Sequence, residues 1–218
     1  HTLWAACAVN LLVALAARAR ARGGKDLVSE AAPAPVAVGD AKPAAPAGLV
    51  LAIAGICGFV FMLMELVWYR MLGPLLGGTT YTFGAILAVA LLGIAVGGAA
   101  FHRWGRGRAV SLRDVALTCA LEALLLAAPL ALGDRLAVLA GVLRPLGVMG
   151  FAGLVSGWAV VAGLVVFPAA VVAGFQFPLL IALLGRGQAQ LARQVGLAYA
   201  WNTVGSILGS LAGGFGFL

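Results

Sequence analysis

Five polar residues stand inside or at the end of long apolar runs, and they are the groups in this sequence best able to do chemistry: Glu65, Arg70, Glu122, Gln176 and Asn202. A polar side chain in such a run is costly unless it faces a partner or a cavity, so each one marks either buried packing or a binding site. Glu122 falls near the middle of its run, where an unpaired charge would cost most. It reads either as a hydrogen-bonded carboxyl that only packs, or as a proton-coupling acid. Gln176 sits in Ala173-Gly174-Phe175-Gln176-Phe177-Pro178, with Pro168 earlier in the same run. A proline deprives a helix carbonyl of its donor, nearby polar groups can satisfy it, and broken helices of this kind line sites in some transporters. Glu65 and Arg70 are five residues apart, about 140° around a regular helix, so they do not pair along one helix. Glu65 is expected to face other helices, with a polar partner such as Arg70 of a distorted helix end, Gln176 or Asn202. Asn202 reads as a hydrogen-bonding link between helices or as a ligand.

Other motifs are missing. There is no Ser/His/Asp arrangement, no HExxH, no P-loop with its lysine, and no glycine loop after a strand. Gly77-Gly78-Thr79-Thr80 has only a superficial likeness to a phosphate loop. Cys7, Cys57 and Cys119 each lie within an apolar run and share no metal-ligand spacing, so they read as small packing residues. His102 has no neighbouring His or Cys. Neither a metal site nor a cofactor site is expected.

The elements that carry these residues are apolar helices. Of 218 residues, 63% are hydrophobic and only 10% charged, with a mean hydropathy of +1.10. Soluble domains carry about 25% charged residues, so much of this surface must face lipid. The apolar runs are roughly 3–17, 49–69, 81–101, 112–132, 151–184 and 196–218, which predicts an all-α integral membrane protein of about six spans. The first run is short for a span of ~20 residues. Its arginines follow it, unlike those of a signal peptide. The fifth is long and holds Pro168 and Pro178, which suits one tilted, proline-kinked helix. Tyr69 and Trp68, at the end of the second run, read as interfacial anchors. The segment 133–150 is mildly amphipathic and suits a short helix at the outer interface. Residues 23–48 are rich in Ala and Pro with no helical period, an extended or disordered linker. Gly93 and Gly97, and Gly205, Gly209 and Gly213, recur at four-residue spacing and would let another backbone approach.

Net charge is +7. The basic residues fall in the gaps between runs, which argues against nucleic acid and for the membrane-orientation rule. Arg18, Arg20, Arg22, Lys25, Lys42, Arg103, Arg106, Arg108, Arg113, Arg186 and Arg193 occupy one set of alternate gaps. Only Arg70, Arg135 and Arg144 occupy the other. The eleven-to-three split puts the first set in the cytoplasm and requires the fifth run to cross an odd number of times. The chain begins at His1 and ends in an apolar run, which reads as a piece of a longer protein.

Several stretches resemble the membrane region of bacterial spermidine-synthase-like proteins, described as fused transporter and spermidine synthase. They are Glu65-Leu66-Val67-Trp68-Tyr69-Arg70-Met71-Leu72, Gly77-Gly78-Thr79-Thr80-Tyr81 and Leu91-Leu92-Gly93-Ile94-Ala95-Val96-Gly97-Gly98. Gly174 to Leu180, and Tyr199-Ala200-Trp201-Asn202-Thr203-Val204-Gly205 to Ser210, look like two further signatures. Trp201 departs from the small or aliphatic residue expected there. The resemblance covers nearly all the chain except the linker. It implies a fragment of a helical bundle of the major-facilitator (MFS) kind in the cell inner membrane. Residues 1–22 would close a first membrane half, 23–48 would be a cytoplasmic linker, and 49–218 would be a second half of about five spans. The expected partners are the lipid bilayer, the flanking helices and a C-terminal soluble domain. That catalytic domain is not in this chain, so no aminopropyltransferase residue carries over. The function implied is a transporter-like module of such a protein, and the alternative is a membrane anchor or scaffold without transport.

Overall fold

The computed structural model describes residues 15, 45–105, 109–184 and 188–216. The chain divides at Lys42, and the fold below is that of the unit Lys42–Leu218. The first apolar run and residues 23–44 of the linker lie outside the described residues, Leu15 excepted.

Six helices follow in order, and no strand occurs among the described residues. They are α1 Ala47–Leu76, α2 Thr80–Ala100, α3 Leu112–Leu132, α4 Arg135–Leu143, α5 Phe151–Leu184 and α6 Gln188–Leu211. A π-helical turn, Phe101–Gly105, extends α2, and another, Ala212–Gly216, extends α6. A 3-10 turn, Arg144–Met149, links α4 to α5. The spans expected for α3 and α5 have the observed bounds, and α5 is one helix through both prolines. Among the described residues, four helices are long and apolar enough to cross a membrane: α1, α2 with its extension, α3 and α5, with mean hydropathy of 2.1 to 2.5. α6 is not among them, because Asn202, Thr203, Ser206 and Ser210 dilute its apolar residues.

The helix ends follow from local chemistry. Gly77 and Gly78 close α1 with φ of 94° and 61°, a left-handed conformation that glycine adopts without steric cost. Thr79 then caps α2, its Oγ1 accepting from the Thr82 amide at 3.3 Å. The buried Thr82 hydroxyl returns to the Leu76 carbonyl at 3.0 Å, tying the two helix ends together. The Gly-Gly-Thr-Thr stretch is thus a helix-to-helix turn. At α3, the Ser111 amide and hydroxyl both donate to Asp114 Oδ2, at 2.9 and 2.8 Å, a carboxylate cap on orphan donors.

Two interfaces dominate the packing. α2 lies along α5, and α1 lies along α6; within each pair the helices run parallel, because contacts advance together along both chains. Gly97 sits so close to the Val171 carbonyl that a Cβ there would collide with it, and Gly205 is in the same position against the Gly55 carbonyl. Backbones that approach this closely gain van der Waals contact that larger side chains would forbid.

The buried side chains form two clusters. One joins Trp68, Leu72 and Leu76 of α1 to Ile86 of α2, Leu136 of α4 and Val161 of α5. The other joins Val50 and Ala54 of α1 to Val115 of α3, Leu180 of α5 and Ala198 of α6. Trp68 corrects the sequence reading: it is 1% exposed and packs edge-on against Phe61. α1 continues through Pro74 to Leu76, so Trp68 lies two turns inside the helix and not at its end. The outer surface is apolar: Ile56, Leu91, Leu92, Leu117, Leu124, Leu164 and Ile207 are all exposed.

Candidate functional site

Glu122 and Gln176 meet. Halfway along α3, Glu122 is 6% exposed, and Gln176 of α5 is 1% exposed. Gln176 Nε2 donates to Glu122 Oε2 at 2.9 Å and lies 3.8 Å from Cys119 Sγ, one turn earlier on α3. Cys57 of α1 lies against Cys119, and both pack on the second cluster. Gln176 Oε1 is buried and has no hydrogen-bond partner among the described residues. A hydrogen bond to a charged group contributes about 1.5–3 kcal/mol, and an unpaired buried acceptor costs ~1–3 kcal/mol. The site is therefore half-satisfied: the amide nitrogen is used and the amide oxygen is not.

The other candidates lie apart from this pair. Asn202 Nδ2 donates to the Ala54 carbonyl at 3.1 Å, a bond across the α1–α6 interface. Arg70 Nη2, from the last two turns of α1, donates to the Gly214 carbonyl in the π-turn after α6 at 3.0 Å. Helix-end carbonyls have no partner within their own helix, and a guanidinium is well suited to them. Glu65 is half-buried and has no hydrogen bond or ion pair among the described residues, so none joins it to Arg70, Gln176 or Asn202. Trp201 is about half exposed, with its carbonyl against Gly55.

Sequence reasoning named Glu122 and Gln176 separately but missed their pairing and the part played by the cysteines. Cys119 and Glu122 share one run, but Cys57 and Gln176 lie in two others, and no spacing signal connects Glu122 to a residue 54 positions away. Among the described residues, no group of three or more His, Cys, Asp or Glu is placed to hold a metal ion. A small cavity of about 20 Å³ lies between α1, α4 and α5, lined mainly by Leu75, Leu143, Leu154 and Trp158 with Arg144 at its edge. It is apolar and too small for an organic substrate.

Comparison with family models, curated proteins and solved structures finds no match.

Proposed function

We propose that the chain is a multi-pass module embedded in the inner membrane, of the kind found in spermidine-synthase-like proteins, with a transporter-like bundle. The observation that carries this reading is the Glu122–Gln176 pair, a carboxyl and an amide buried between apolar helices. Four helices of spanning length and an outer surface of exposed leucine, isoleucine and valine support the membrane setting. Polar groups this deep mark pathways for ions or substrates more often than chance.

The second reading is an anchor or scaffold. It is favoured by the way the polar groups are satisfied: Asn202, Arg70 and Gln176 each bond locally, at separate places, and do not line one continuous path. Reconstitution of the chain in lipid vesicles separates the two. Resistance to alkaline extraction tests the membrane setting. Uptake of labelled polyamine, lowered by Glu122→Gln in vesicles that retain the same amount of folded protein, supports transport. Uptake no faster than in empty vesicles leaves the anchor.

A further inference from the structure

We infer that Glu122 and Gln176 form a reversible proton-binding site between α3 and α5. The inference rests on the membrane setting proposed above, and it holds whether the module transports a solute or not.

Donors and acceptors at the pair do not balance. An ionised Glu122 offers only acceptors, and Gln176 Oε1 adds another. Against these stand the two N–H bonds of the Gln176 amide, whose nitrogen donates to Glu122 Oε2 and to Cys119 Sγ, and the weak S–H donors of Cys57 and Cys119, which lie against one another. Gln176 Oε1 is left without a donor although it is buried. No arginine, lysine or histidine among the described residues bonds to Glu122. The site lacks one donor and one positive charge, and a single proton supplies both. On protonation, one O–H bond forms at the carboxylate with a proton taken from water, and the site goes from −1 to neutral. Aligning the carboxyl and carboxamide planes then lets Oε1 accept from the new hydroxyl while Nε2 still donates to the other carboxyl oxygen. This is the cyclic pairing of an acid with an amide, and it needs no exchange of amide oxygen and nitrogen. Gln176 thus serves both states: N–H donates to the carboxylate, and C=O accepts from the acid.

A gap beside Glu122 gives a proton a place to enter and leave. α1 and α3 make no direct backbone contact, with no Cα pair within 8 Å. Cys57 and Cys119 meet across that gap, and both are partly exposed. The titratable groups that face it are Cys119 from its own helix and Cys57 from α1. α5 brings Gln176 and no ionisable residue, and Asp134 and Arg135 of α4 sit beyond the far end of α3.

Two other uses of the cluster fail on geometry. A Cys57–Cys119 disulfide needs Cα atoms within about 7 Å, and these are beyond 8 Å. A metal ion would need more ligands than the described residues bring together.

The test uses the whole chain in lipid nanodiscs, with glutamate labelled by carbon-13 at the carboxyl carbon. The chain has three glutamates, Glu30, Glu65 and Glu122, so three resonances are read in one titration. Glu30→Gln and Glu65→Gln assign the Glu122 signal by elimination, so it is identified without altering the site. The expected result is a reversible chemical-shift change of the Glu122 carboxyl with pH, displaced in Gln176→Leu and nearly kept in Gln176→Asn. A Glu122 signal that stays at either the acid or the carboxylate position across the whole range of retained fold overturns the proposal. So does a titration that Gln176→Leu leaves where it was. Alkaline extraction of the same protein from vesicles reports the membrane setting independently, so failure of that reading is seen separately.

Discussion

Gly97→Ala tests whether the α2–α5 contact depends on the absence of a side chain. A Cβ at Gly97 would run into the Val171 carbonyl oxygen and would lie 2.7 Å from the Phe175 amide nitrogen and 2.9 Å from the Gly174 carbonyl carbon. All three are backbone atoms, so no side chain can swing aside and the helices must part. Overpacking of this kind costs about 1–3 kcal/mol. Replacing a helical glycine by alanine returns roughly 0.5–1 kcal/mol in backbone entropy, so the net loss is about 0–2.5 kcal/mol. Gly84→Ala, on the same helix, is the control, since nothing lies within 4 Å of the added methyl. There the entropy gain stands alone, and stability should rise by up to ~1 kcal/mol. Unfolding by increasing detergent denaturant in mixed micelles, followed by helical circular dichroism, gives both values. If Gly97→Ala proves as stable as Gly84→Ala, close backbone approach is not what holds α2 to α5.

Asn202→Ala removes the bond to the Ala54 carbonyl and should cost about 0.6 kcal/mol, up to ~1.7, in the same unfolding assay; no loss would mean that the bond adds nothing to the α1–α6 interface. Thr82→Val leaves the Leu76 carbonyl without its buried donor and should cost ~1–3 kcal/mol, read as a lower unfolding midpoint, with an unchanged midpoint counting against the tie between the ends of α1 and α2. The loops around Arg103 to Arg113 and Arg186 to Arg193 should label from the cytoplasmic side in single-cysteine variants, and those around Gly77 and Gly141 from the other; labelling of both sets from one side would sink this topology.

Much of the fold was legible because it depends on local composition. The bounds of α3 and α5 come from apolar runs that begin and end at Ser111, Gly133, Gly150 and Gly185, where polar or glycine residues interrupt them. The short helix α4 followed from its amphipathic pattern. What was not legible depends on contacts across the bundle. Trp68 looked like an interfacial residue because a tryptophan, a tyrosine and an arginine follow one another near the end of a hydrophobic run. Nothing local shows that the helix continues over Pro74, since proline usually ends a helix. The partners of Glu65, Glu122 and Gln176 were open for the same reason. A polar residue in an apolar run declares that it needs a partner but not which one. Glu122 found its partner on α5, and Glu65 has none among the described residues.

The position of Glu122 within α3 links its chemistry to the architecture. Only Val115, Glu122 and Pro129 of that helix are buried. They are seven residues apart, two helical turns, so they form one narrow seam. α3 packs mainly against α5 and has no glycine-lined interface like those of α1 with α6 or α2 with α5. Its seam holds one valine, one proline and, at the centre, a carboxyl bonded to Gln176. Apolar contact along such a seam is thinner than at the glycine-lined interfaces, with partly buried Leu125, Leu126 and Leu132 adding to it. The Glu122–Gln176 bond fixes both register and rotation, because displacement by one residue turns Glu122 about 100° away. A change in the charge of Glu122 would therefore act directly on the least firmly packed long helix of the bundle. Structural tie and protonation site need not be rival accounts of this pair, since the bond that seats α3 is the one that protonation rearranges.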